Sequence, residues 1–204
     1  MKKQHFFTAA SIFALFALSC SKNENGLKLQ AHNENRMMDS MHSMMARMDA
    51  MTPTNDPEID FVKMMIMHHQ GAINMAGIEL QSGTSDTLKK TAQKIITAQQ
   101  MEIQQLNLIL ASLSNDNTDP SFTAEQKENM MKGAKVADIQ VITGDIDNDF
   151  ATLMIVHHQG ALDNASAYLH HGNHSQLKQI ATNIMSSQPK EIQELSNWLV
   201  SNRR

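Results

Sequence analysis

The 204-residue chain has one cysteine, Cys20, and that scarcity excludes disulfides and thiolate metal sites from the fold. Aromatic core-fillers are also few: seven Phe, one Trp and one Tyr. Beyond the N-terminal stretch no segment holds the ~20 continuous apolar residues that a membrane-spanning helix needs. Basic residues are outnumbered 17 to 21, giving a net charge of −4 with histidine neutral, which disfavours nucleic acid as a partner. No alternating strand pattern competes anywhere. No Glu is followed by His three positions later, as a ferritin-type di-iron oxidase requires, and His-Glu-x-x-His is missing too. No catalytic residue is assigned, and the chain is read as a non-enzyme.

Methionine is abundant instead, with 17 residues. The chain opens with Lys2 and Lys3, continues through an apolar stretch from Phe6 to Leu18 and reaches Ala17-Leu18-Ser19-Cys20. That pattern reads as a lipoprotein signal, with residues 1–19 removed and Cys20 acylated; the alternative is an ordinary signal peptide with an incidental cysteine. Cleavage there leaves 15 basic against 21 acidic residues, a net charge of −6. The lipid is then the sole membrane anchor, and the expected location is the cell envelope, on a periplasmic or outer-membrane face. Residues 20–33 are polar and Asn-rich and read as a flexible tether. Residues 34–204 read as a single helical domain.

Within that domain Met37, Met41, Met44, Met48 and Met51 recur at spacings of four, three, four and three, one stripe of a helix from about Glu34 to Met51. Thr52-Pro53-Thr54-Asn55-Asp56-Pro57 breaks it. Asp56 as N-cap and Pro57 at the first position predict a helix to about Leu80. A third helix is expected from Asp86 to Leu113, and Thr123-x-x-Gln126 reads as a capping box for a shorter one ending near Ile139.

The pattern then repeats. His68-His69-Gln70-Gly71-Ala72 recurs 89 positions later as His157-His158-Gln159-Gly160-Ala161, and Asp60-Phe61, Gly83, Gln99 and Glu102-Ile103-Gln104 recur at the same offset. The chain is therefore two copies of a short helix followed by a long helical hairpin, about 34–113 and 123–199. Pro189 replaces Gln100 and predicts a kink or late start in the last helix. The expected fold is all-α, an antiparallel four-helix bundle of two duplicated hairpins with short flanking helices.

His69 shares the apolar face of its helix, whereas His68 is turned ~100° away, toward the flank of Met64, Met75 and Phe61. On this geometry His69 approaches its copy His158 across a pseudo-twofold, and His68 and His157 keep freer flanks. His69 and His158 either lock the hairpins or bind metal. Gln99, Glu102, Gln188 and Glu191 stand opposite as acceptors for the imidazole nitrogen facing away from a metal, or, for the glutamates, as plain salt bridges. A methionine stripe is ordinarily core. In the first helix, however, every apolar residue except Ala46 and Ala50 is Met. Without free thiols in an oxidising compartment, thioether and imidazole are the remaining soft and borderline ligands, suited to Cu(I) or Ag(I). Met41, His42, Met44, Met45 and Met48 form one candidate cluster, and Met64/His68 and Met65/His69, each four apart, form others. The turn His170-His171-Gly172-Asn173-His174 is an exposed cap or a weak metal site.

With Met65-x-x-His68-His69-x-x-Ala72-x-x-Met75-Ala76 followed by Gln99-x-x-Glu102-Ile103, the chain resembles the bacterial family called domain of unknown function 305, over about Asp60 to Leu199. The resemblance implies a ferritin-like helical bundle exported to the envelope, with some members binding copper and contributing to copper tolerance. It adds Met75 to the candidate ligands. The second copy departs from the motif with Asn164 in place of Met75, so that half is expected to bind metal more weakly or differently. The expectation is thus a copper-binding envelope lipoprotein acting in metal buffering or tolerance, with a metal-free structural or interaction module as the alternative. A homo-oligomer or an envelope protein partner stays open.

Overall fold

The computed structural model describes residues 29–202. The stretch read as a lipoprotein signal and Cys20 lie outside them. The described residues are all-α: after a 3-10 turn (His32–Glu34) come α1 (Arg36–Asp49), α2 (Pro57–Ser82), α3 (Asp86–Leu110), α4 (Pro120–Asp138), α5 (Ile146–His171) and α6 (Ser175–Ser201). Hairpins α2/α3 and α5/α6 each pack tightly within themselves. They meet mainly through α2 against α5, while α3 and α6 barely touch. The short helices α1 and α4 lie together over the α2/α5 contact. Among the described residues no helix is long and apolar enough to cross a membrane.

Both long hairpins start the same way. Asp56 and Asp145 cap α2 and α5 by accepting from backbone N–H groups of their first turns. The residues just before them, Asn55 (φ 63) and Gly144 (φ 77), are 89 positions apart and both take the left-handed conformation. Asn and Gly are the residues that tolerate it. One turn into each helix, Asp60 and Asp149 fold back onto that bend: Asp60 accepts from the Thr54 and Asn55 amides, Asp149 from those of Thr143 and Gly144.

The halves also exchange partners. Asn35, the N-cap of α1, donates to Asp149 at 2.7 Å, and Thr123 in α4 donates its hydroxyl to Asp60. Glu58 accepts from the Asn173 amide, and Asp147 from the amides of Thr84 and Ser85. Each first-turn carboxylate thus holds the other hairpin's bend. Within the stretch read as a tether, the Gln30 amide donates to the Ile142 carbonyl and the His32 ring to that of Gln140, so the chain is docked from Gln30 onward.

Three local expectations are corrected. α4 begins at Pro120 with Asp119 as its cap, not at a Thr123 capping box, because Pro fits the first position and the Thr123 hydroxyl is engaged by Asp60. α3 ends at Leu110, three residues early. α6 starts at Ser175 and continues through Pro189, so no late start occurs.

With few aromatics, a Phe61–Tyr168 stack at 4.2 Å, with Phe122 edge-on, fills one end of the core. Methionine fills much of the rest: Met37, Met38, Met41, Met44 and Met48 are all buried on α1. Burial of each contributes roughly 1.5–3 kcal/mol, less up to about 2 kcal/mol of lost rotamer freedom. The net is small per residue, and such a layer is adaptable rather than rigid.

At the hairpin bends, a Cβ on Gly83 would meet the Glu79 carboxyl at 2.2 Å and one on Gly172 would meet the Tyr168 ring at 2.2 Å, so glycine is required there for space. Glu79 and Tyr168 are 89 positions apart, and each faces the other half's first-turn carboxylate: Glu79 faces Asp147, Tyr168 faces Glu58. Burial, then the Asp147 carboxyl, push Glu79 up to about 8 against the opposing pull of Lys89. At neutral pH it is therefore mostly a neutral acid. Because its folded value lies above the ordinary 4.5, the associated stability is complete below pH 4.5 and is lost as pH rises through about 8. Chemical denaturation across that range is expected to show stability falling with pH, and Glu79→Gln, uncharged throughout, to flatten the slope.

Candidate metal centre

The two histidine pairs separate by role. His69 Nε2 lies 2.7 Å from Glu102 Oε2, and His158 Nε2 lies 2.7 Å from Glu191 Oε2, both rings fully buried. Each contact joins the two helices of one hairpin. Gln99 and Gln188 are buried beside them on α3 and α6, each with an unpaired Oε1.

His68 and His157 do not have the freer flanks expected of them. They are 4% and 2% exposed, and their rings meet at 3.7 Å between centroids, tilted by 40°, across the α2/α5 contact. The pair meeting between the halves is thus His68/His157, not His69/His158. A simple helical wheel misassigned them because α1 and α4 cover the flank that would otherwise face solvent.

His157 Nε2 lies 2.9 Å from the His68 carbonyl oxygen. A carbonyl only accepts, so Nε2 carries the hydrogen. Burial first, and then the neighbouring histidines, hold both His68 and His157 well below the ordinary histidine value, so both are neutral at pH 7. In neutral His157 with a protonated Nε2, Nδ1 bears a lone pair. Nδ1 of each ring is buried without a partner.

A cleft opens beside this pair because the repeats differ at one position. Met44 lies directly on the α2 backbone, its Sδ 2.4 Å from where a Cβ on Gly71 would stand. The counterparts at the 89-residue offset are Gly133 and Gly160. A Cβ on Gly133 would meet nothing within 4 Å, and the nearest atom to one on Gly160 is His68 Nε2 at 3.3 Å. The notch that Met44 fills in one half is therefore open in the other. Met41, Met44, Met45 and Met48 of α1 and Met130 of α4 form its thioether wall, His68 and His157 its floor, and Val156, Gly160 and Asn164 its α5 side. Its interior is ≈ 20 Å³, room for one water or small ion. Between α1 and α4 a wider opening lined by Met45, Met48, Met130 and Met131 leads outward. Asn129 and Lys132 tie α4 to Asp163 of α5 at the rim.

The other candidates fall elsewhere. Met64, Met65 and Met75 are fully buried in the core and do not line the cleft. His42 is exposed and contacts Asp138 at 2.9 Å. His171 uses both ring nitrogens on Asp119 and Glu125, whose hydrogen bonds raise its pKa, so it is an ion-paired clamp. Among the described residues no three His, Cys, Asp or Glu side chains converge as a metal site, which leaves mixed thioether and imidazole donors as the available set. The sequence reading took neither Met130 nor Asn164 as a candidate ligand, and both line the cleft; for Met130 the available signal was that it lies 89 positions after Met41.

The model of the family described as "Domain of unknown function (DUF305)" matches residues 15–110 and 58–199. The chain belongs to the DUF305 family. Among solved structures this DUF305 chain is similar to CopM in the Cu(I)-bound form (26% identity, TM-score 0.55, covering 72% of this chain and 98% of that one). It is likewise similar to CopM in the Cu(II)-bound form (29% identity, TM-score 0.55, covering 71% and 96%). A DUF305 fragment from Deinococcus radiodurans (23% identity, TM-score 0.53, covering 74% and 97%) shares the fold. A comparison with curated proteins finds no match.

In this DUF305 chain, Glu102→Leu is expected to leave His69 buried opposite an apolar group and to cost about 1–3 kcal/mol of stability, measured by urea denaturation.

Proposed function

We propose that this DUF305 protein binds a copper ion, Cu(I) foremost and Ag(I) by the same chemistry, in the cleft between α1, α4 and the His68/His157 pair. The observation that carries this is His157: its Nε2 hydrogen is committed to the His68 carbonyl, its Nδ1 is a buried, unpartnered lone pair, and the residue lines one cleft together with five methionines. A hydrogen bond of that kind sets the tautomer of a metal-binding imidazole. Neutral imidazole with thioethers is a donor set for soft monovalent ions. Similarity to CopM in its Cu(I)-, Cu(II)- and silver-bound forms supports the same assignment.

The protein acts in this proposal as a carrier or buffer rather than an enzyme. Cys20 supplies the lipid that holds it to the envelope, on a periplasmic or outer-membrane face. His69/Glu102 and His158/Glu191 are hairpin locks. The methionines of the outward opening admit the ion by thioether exchange.

Titration of the purified domain with Cu(I) against a competing chelator tests this. The wild type is expected to bind, and His157→Ala or the combined Met44→Leu, Met45→Leu and Met48→Leu to weaken binding at least tenfold while keeping the fold. Gly133→Leu removes no donor but fills the notch over Gly160, and is expected to block binding as well. Wild type and variants that bind Cu(I) equally poorly would overturn the assignment and leave a metal-free helical module.

A further inference from the structure

The cleft carries one atom that soft-metal chemistry does not explain. Asn164 lines it on α5 and is 2% exposed. Its Nδ2 donates to the Gly160 carbonyl at 2.9 Å, one turn back in the same helix. That bond settles which end of the amide is nitrogen, since the Gly160 oxygen can only accept. The other end, Oδ1, is turned away from that carbonyl, buried and without a hydrogen-bond partner. A buried acceptor of this kind calls for a positive partner, either a cation or a water hydrogen.

The duplication sharpens the point. The residue equivalent to Asn164 in the first half is Met75, fully buried in the core. A larger, apolar residue thus occupies the equivalent helix position. At Asn164 the amide stands instead beside the notch left open by Gly133. The cleft consequently has a soft wall of thioethers on α1 and α4 and a hard oxygen on α5.

We infer that Asn164 Oδ1 is an oxygen donor for the divalent state of the ion, so that the same cleft takes Cu(I) through methionine and Cu(II) with the help of the amide. Oxygen donors suit harder ions, while thioethers suit the monovalent one. This rests on the copper assignment above and adds to it a residue that discriminates between oxidation states.

The experiment compares Cu(II), followed by electron paramagnetic resonance under glycine competition, with Ag(I) as the redox-inert soft probe. Asn164→Leu is expected to weaken Cu(II) at least tenfold and alter its spectrum, while Ag(I) affinity stays within about twofold. Asn164→Asp, which keeps the oxygen and adds charge, is expected to strengthen Cu(II) with the same indifference to Ag(I), and it remains informative if the leucine variant fails to fold. A wild type that binds both ions, with variants that change neither affinity or change both in parallel, overturns the role of Asn164 alone. A wild type that binds neither ion overturns the copper assignment and this inference together.

Discussion

Two buried imidazoles with ring centroids 3.7 Å apart resist carrying charge together, and the contact between the two hairpins depends on that restriction. A protonated His68 or His157 would face desolvation and its like-charged neighbour at once. Both stay neutral, and the hydrogen bond from His157 to the His68 carbonyl then aligns α2 with α5. That bond is not mirrored: His68 Nε2 faces Gly160 instead. The approximate twofold relation is broken at its own centre, on the side where the cleft opens.

Around that centre the halves are held in register by exchange. Asn35 and Thr123 each serve the aspartate of the other half, and Glu58 and Asp147 each hold the other half's bend. Glu79 and Tyr168 occupy equivalent places with different chemistry. A phenol is a donor at any physiological pH, whereas a carboxyl is one only while protonated. The second half therefore has a permanent donor where the first has a conditional one. None of these contacts involves the cleft, so the scaffold can be firm while the methionine layer above it adapts.

The cleft lies where the two copies of the repeat differ. The first short helix kept or acquired methionines at 44, 45 and 48, while the second has Gly133, Ala134 and Ala137 at those places. Two full methionine layers would close the cleft, and two small-residue layers would leave few thioethers along it. One of each gives donors on one side and space on the other. The same asymmetry sets Asn164 against Met75, one beside the opening and one sealed in the core.

The all-α class, the repeat at 89 residues and the bounds of α2 were legible in the sequence, because local signals determine them: helical periodicity, an Asp-Pro start, and a glycine at the bend. The methionine stripe of α1 could also be read, since i, i+3 and i+4 spacing decides which residues share a face, whereas for His69 and His158 a hairpin lock and a metal ligand both stayed open. The exposure of His68 and the partner of each histidine could not be read. A helical wheel ranks faces only by their own residues, and the covering of His68 depends on α1 and α4 packing from above. The N-terminus of α4 was missed because the Thr123 hydroxyl is taken by Asp60, 63 residues away. Which methionines reach the histidines was decided by tertiary structure alone, since it turns on the space left by Gly133 against Gly160, a contact between helices in which neither glycine announces its role by spacing.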